Sequence, residues 1–244
     1  MKFSTDGIVL KASDVGDSDR VLTVLTKDYG VVRAFANGAK RLRSSKQSAT
    51  QPLCYSHFTF FQSRDSFVVD DAQSIETFFR LRDSIENLSL AQYFCELECE
   101  YAPETEPAED YLRLILNCLH MLVTGKKSRK FLKPLFELRI LTLAGYMPDL
   151  GACAKCGEEP GDTAYFDISA GVVYCGKCPN PGVKISKGIL NAMRRICTAP
   201  AEKLFSFELA EKSLDTLCGI SERYLLMQAR HPFKALDFYN KLFF

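Results

Sequence analysis

A multidomain α+β chain is what the sequence predicts, with a five-stranded barrel first and a helical bundle after it that carries an inserted four-cysteine segment. Three observations lead there. Short runs of β-branched and aromatic residues fill the first eighty positions, helical periodicity takes over after Arg82, and two Cys-x-x-Cys pairs interrupt the helical half. With 244 residues, 47% of them hydrophobic, the chain has ample apolar surface for buried cores. The expected divisions are a barrel domain over residues 1–80, a first helical part over 81–148, the cysteine segment over 149–182 and a second helical part over 183–244.

The barrel rests on five runs: Gly7 to Leu10, Arg20 to Thr26, Gly30 to Phe35, Tyr55 to Phe61 and Ser66 to Val69. All are short and rich in residues that suit a pleated surface. Ser13-Asp14-Val15-Gly16-Asp17 and Lys27-Asp28-Tyr29-Gly30 separate them with the Gly and Asp that tight turns favour. Five strands in about 75 residues suit an OB-fold, a small barrel that often binds nucleic acid, with an SH3-like barrel as the alternative.

Beyond Arg82, Leu90, Phe94, Leu97 and Tyr101 form one apolar stripe on a helix starting near Ser84. A second helix opens at Pro107 and stops at Gly125; its apolar residues wrap most of the way round, which predicts burial on several sides. A third runs from Arg129 to Ala144. After the cysteines, helices are expected over Ser186 to Cys197, from about Glu202 to Cys218 and from Ser221 to Arg230, with Pro200 and Gly219 as breaks. The stretch Tyr111 to Val123 contains Arg113, Asn117 and His120, so no membrane span is expected. The N-terminus has no secretory pattern, and a cytoplasmic location is expected.

Cys153-x-x-Cys156 and Cys175-x-x-Cys178, eighteen residues apart, have the spacing of a four-thiolate zinc site. Each turn brings two sulfurs to one side of a tight loop, and two turns close a tetrahedral shell. With every position filled by protein, one structural Zn2+ is expected. Gly157 and Gly176 stand where a backbone wrapping a metal site often needs positive φ. A redox pair or four buried thiols are the alternatives. A zinc deaminase needs a His-x-Glu segment, whereas His57, His120 and His231 are followed two places on by Thr59, Leu122 and Phe233. Cys95 and Cys99, at i and i+4, read as core.

Net charge is only +1, so a case for nucleic acid depends on where the charges sit. No acid lies between Asp28 and Asp65, while Arg33, Lys40, Arg41, Arg43, Lys46 and Arg64 do. The segment Asn37 to Lys46 mixes cations with small residues, a composition able to follow a phosphate backbone without reading sequence. Arg33 and Phe35 share one face of the preceding strand; that face can stack a base, although a strand phenylalanine is more often core. A second basic run, Lys126, Lys127, Arg129 and Lys130 with Lys133, is either a further DNA contact or a solvated face. The acidic run from Glu96 to Asp110 reads as solvated, although paired carboxylates can bind magnesium. No P-loop, G-x-S-x-G elbow or H-E-x-x-H occurs, and no enzymatic activity is expected.

Several motifs in order resemble the RecO family over nearly the whole chain. Gly7-Ile8-Val9-Leu10-Lys11, Gly16-Asp17-Ser18-Asp19-Arg20, Leu25-Thr26 and Tyr29-Gly30 are similar to its first hairpin. Asn37-Gly38-Ala39-Lys40-Arg41 resembles its Gly-Ala-basic-basic loop, and Glu137 through Gly145-Tyr146-Met147-Pro148, leading into Cys153, resembles its most recognisable segment. Asp17 stands where the family often has Glu. The resemblance implies a DNA repair and recombination mediator that binds single- and double-stranded DNA and anneals complementary strands. It also implies three partners: RecR, the SSB C-terminal tail, and RecA, which is loaded downstream. The competing readings are a zinc-ribbon adaptor whose barrel binds protein, and a metal-dependent nuclease using the acidic run.

Overall fold

The computed structural model describes residues 2–41, 44–62, 66–179 and 181–242. By contact the chain forms two units. One runs up to Gly125 and takes in the segment from Phe233 onward; the other is Lys126–Pro232. Contacts group the barrel with the helices that follow it.

In the first unit, β1 (Lys2–Val15), β2 (Asp19–Thr26), β3 (Gly30–Ala36), β4 (Tyr55–Gln62) and β5 (Phe67–Glu76) close a barrel in the order β1-β2-β3-β5-β4. A short helix, α1 (Lys46–Ala49), lies between β3 and β4, and β3 pairs with β5 in parallel. That order settles the barrel as an OB-fold. Long, bent β1 achieves closure by pairing with β4 through its first half and with β2 through its second. Gly7 sits where the two ladders overlap, and an added Cβ there would lie 2.8 Å from the Leu25 carbonyl oxygen. Alternation sends Val9, Leu22, Val24, Phe58, Phe60 and Val69 inward as the barrel core. The Phe58 and Phe60 rings stack with centroids 5.4 Å apart.

Helices α2 (Ile85–Tyr101) and α3 (Glu109–Thr124) follow, and α7 (Lys234–Lys241) returns to pack on α2. Ser84 caps α2 by accepting a hydrogen bond from the Asn87 N–H, and Gly125 ends α3 in the left-handed conformation. The link between α2 and α3 docks on the β2–β3 turn: the Val31 N–H donates to the Pro103 carbonyl (2.8 Å) and the Ala108 N–H to the Lys27 carbonyl (2.9 Å). Gly30, at φ +64°, permits this approach, since a Cβ would lie 2.0 Å from the Pro103 oxygen. α3 buries a single face, through Leu112, Ile115, Leu119 and their neighbours, rather than several sides.

The second unit contains α4 (Arg129–Leu143), a sheet ordered β7-β6-β8, α5 (Lys187–Thr198) and α6 (Glu211–Ala229). Among the described helices α4 is the one buried all round, every residue from Phe131 to Leu138 being buried. The three strands, β6 (Thr163–Asp167), β7 (Val172–Cys175) and β8 (Val183–Ser186), were not expected in a helical half. Gly219 does not break a helix: α6 runs through it, and the preceding stretch forms only a 3-10 turn over Ala201–Lys203. The cost of one helical glycine, about 1 kcal/mol, is outweighed by burial of Leu217, Ile220 and Tyr224 around it. No described helix is long and apolar enough to cross a membrane.

One buried group opposes the stability of the barrel unit. Glu98 of α2 is fully buried and its carboxylate oxygens have no hydrogen-bond partner among the described residues, so burial holds its pKa well above the usual value. Above the unfolded pKa the unfolded chain ionises while the folded chain keeps its proton, and stability falls as pH rises until the folded pKa is passed. Glu98→Met is therefore expected to stabilise the protein by about 1–3 kcal/mol near neutral pH. Thermal melts should show a larger gain at pH 8 than at pH 5; an equal gain at both would sink the assignment.

Candidate nucleic-acid interface and metal centre

Strand alternation puts Arg33 and Phe35 on the outside of β3, with Val32, Ala34 and Ala36 inside. Phe35 is 43% exposed, which reverses the expectation that it is core. It lies opposite Val21 of β2 and Val68 of β5, and Arg33 lies opposite Thr23. A ring and a guanidinium therefore share an open strip of barrel wall.

The loop after β3 is more self-contained than its composition implied. Lys40 Nζ lies 3.1 Å from Asp14, whose carboxyl is held below the usual range chiefly by that contact. The Gly38 N–H donates to Asp19 at 2.7 Å, which lowers the Asp19 pKa in the same way. Lys46 Nζ donates to the Val69 carbonyl at 3.2 Å. Arg41 is exposed, stacked along Gly38. Arg43 and Arg64 fall outside the described residues. The acids that engage the loop come from the β1–β2 hairpin, beyond the acid-free window.

The second basic run is largely occupied within its own unit. Lys127 Nζ donates to the Phe207 carbonyl (3.0 Å) and lies 4.6 Å from the Phe131 ring centroid. Lys130 is paired with Asp215 at 2.7 Å and with Glu211 at 3.4 Å. Lys133 is buried, 2.6 Å from Glu137 and 2.8 Å from Glu222, so it belongs to the core. Lys126 is exposed and Arg129 half-buried. The acidic run is scattered: Glu96 accepts from the Lys234 and Ala235 N–H groups at the start of α7, Glu98 points inward and Glu109 meets Lys27.

The sulfurs of Cys153, Cys156, Cys175 and Cys178 all lie within 4.8 Å of one another, the one metal-ligating group of this kind among the described residues. Cys153 and Cys156 stand on a turn in which the Gly157 N–H donates to the Cys153 carbonyl (2.9 Å) and Gly157 takes φ +76°. Gly176 does not need positive φ. Cys175 ends β7, paired with Ala164, and Cys178 follows on a turn closed by its N–H to the Cys175 carbonyl. Arg194 of α5 ties the first turn down, donating to the Leu150 and Gly151 carbonyls at 2.8 Å each. The Cys156 and Cys175 sulfurs are 3.7 Å apart. A tetrahedral thiolate shell with metal–sulfur bonds near ~2.3 Å has an edge of about 3.8 Å, so the donor set fits a metal ion. Backbone N–H groups, that of Cys175 foremost, hold the Cys153 thiol down to about 6, ready to ligate as thiolate. Cys95 is buried and Cys99 half-buried, and neither joins a metal-ligating group.

Two family models match the chain, one described as Recombination protein O N terminal over residues 1–78 and one as Recombination protein O C terminal over residues 82–237. A DNA repair protein RecO from Acetivibrio thermocellus is 35% identical over 243 residues, covering 98% of this chain and 97% of the relative. Proteins of the same name from Pelotomaculum thermopropionicum and Desulforudis audaxviator are 30% and 35% identical, over 98% and 83% of this chain and 94% and 82% of their own.

Proposed function

Because the chain belongs to the RecO family of DNA repair proteins, we propose that it is a recombination mediator. In this reading it binds single- and double-stranded DNA, anneals complementary strands and, with RecR, helps load RecA onto single strands coated by SSB, whose C-terminal tail it contacts. The observation that carries the reading is the open pairing of Phe35 with Arg33 on the barrel wall. The ring takes the face of an unstacked base, while Arg33 and Arg41 meet phosphates and release counterions; neither contact depends on sequence. Lys40 and Lys46 contribute less, since Asp14 and the Val69 carbonyl already engage them. Exposed Lys126 remains the member of the second run best suited to a further contact. No covalent step is needed, and annealing by the isolated protein is expected without ATP.

Cys153, Cys156, Cys175 and Cys178 hold one structural zinc in this reading. Bound zinc cross-links two turns that little else joins, and with four thiolates it keeps no place for water or substrate.

Titrating single-stranded oligonucleotides over a range of salt tests the DNA assignment. Arg33→Ala and Arg41→Ala are each expected to flatten log K against log salt by about 0.7, and Lys40→Ala by less. Phe35→Ala is expected to weaken single-strand binding by about 1–3 kcal/mol at unchanged slope. Wild-type affinity and slope in the Arg33, Phe35 and Arg41 triple variant would remove the site from the barrel wall.

A further inference from the structure

A cavity of about 450 Å³ opens in the barrel unit between α1 and the end of β5. Its rim carries Phe79, 68% exposed, with the Arg82 guanidinium 5.3 Å from the ring centroid. Gln47 of α1 and Gln51 of the following turn line the opposite wall, and no described residue engages either carboxamide. That wall is fixed. Leu53 is held in the left-handed region at φ +65°, its N–H donating to the Val9 carbonyl at 2.9 Å, and the Val9 N–H donates to the Cys54 carbonyl at 3.0 Å. Among the described residues no carboxylate lines the space; Glu76 and Asp83 flank it in sequence but stay outside the lining.

An exposed ring with a guanidinium over one face and its other face open, across a preformed hollow from two unengaged carboxamides, matches the three parts of an unstacked nucleotide. Its base face stacks on an aromatic, its base edge pairs with a planar amide, and its phosphate takes a cation. We propose that this cavity is a second base-binding subsite, which takes one unstacked nucleobase of single-stranded DNA against Phe79, with Gln47 and Gln51 at the base edge and Arg82 on the phosphate. The proposal rests on the reading of the chain as a DNA-binding protein. Phe35 faces Val68 near the start of β5, and Phe79 follows eleven residues after Val68, so at ~3.3 Å per residue the chain from Val68 to Phe79 spans at most about 36 Å. The two platforms would hold different nucleotides of one bound strand.

The test is a set of titrations of the full chain with mixed-sequence single strands, longer than the ~4–16 nucleotides one OB-fold covers, and with duplexes of equal length, at several salt concentrations. Phe79→Ala is expected to weaken single-strand binding by about 5- to 150-fold, at unchanged salt slope and unchanged duplex affinity. Phe79→Trp should restore it, and Arg82→Ala should flatten the slope by about 0.7. An oligonucleotide carrying 2-aminopurine should be quenched by the wild type and less so by Phe79→Ala. Phe79→Ala with wild-type single-strand affinity, or with equal losses on single strand and duplex, overturns the subsite while the DNA reading stands. A wild type that binds no single strand overturns both.

Discussion

Substituting Cys153 by serine is expected to lower bound zinc from about one ion per chain to near none, and to release the segment between residues 149 and 182 from its ordered structure. Apparent binding energies for structural zinc in small domains reach about 10–16 kcal/mol, more than the few other ties here can replace. Those ties include a three-stranded sheet of four- and five-residue strands, the Ala154 N–H to the Val173 carbonyl, the Asp149 N–H to the Gly171 carbonyl, and the Arg194 anchor. Hydrogen exchange should report loss of protection across the segment while the barrel amides keep theirs, and solubility should fall before DNA affinity does. Protein purified without chelators that contains no metal would end the zinc assignment.

The second large effect is expected at Lys133. Burial alone would lower its pKa, but Glu137 and Glu222 overcome this and raise it, so it stays charged. Ser221 donates to the other Glu137 oxygen at 2.5 Å and extends the network. Lys133→Ala leaves Glu137 buried without its counter-charge and should cost about 3–5 kcal/mol of stability. A Lys133→Met, Glu137→Leu double variant should recover most of that, because an apolar pair of similar volume avoids the desolvation of both ions. Denaturant titration distinguishes this from a DNA role: Lys126→Ala should leave stability unchanged. Wild-type stability in Lys133→Ala would mean that the pair is not formed.

The barrel was legible because its signal is local. Alternating strands and Gly-containing turns define it residue by residue, and the two Cys-x-x-Cys turns are equally self-contained. What sequence reading missed depends on partners distant in sequence. The Asn37–Lys46 loop looked unopposed because Asp14 and Asp19 reach it from another hairpin. Strands β6 to β8 escaped because four or five residues between turns give too short a pattern. Phe35 could not be assigned to a face until the barrel fixed which side of β3 was inside. Two other features do leave a trace in the sequence. Glu98 falls four residues after Phe94, on the same apolar stripe, and Lys133 and Glu137 stand at i and i+4 in the otherwise apolar stretch from Phe131 to Leu138.

The return of α7 to α2 also sets a schedule for synthesis. Phe233 packs edge-on against Tyr93 of α2, with ring centroids 6.1 Å apart, and Glu96 receives the first N–H groups of α7. Both contacts wait until the ribosome has made all of Lys126–Pro232, an interval of roughly 5 to 20 seconds at ~5–20 residues per second. Throughout that time the nascent barrel unit carries an open aromatic face on α2. The helix that covers it, α7, is translated only after that interval.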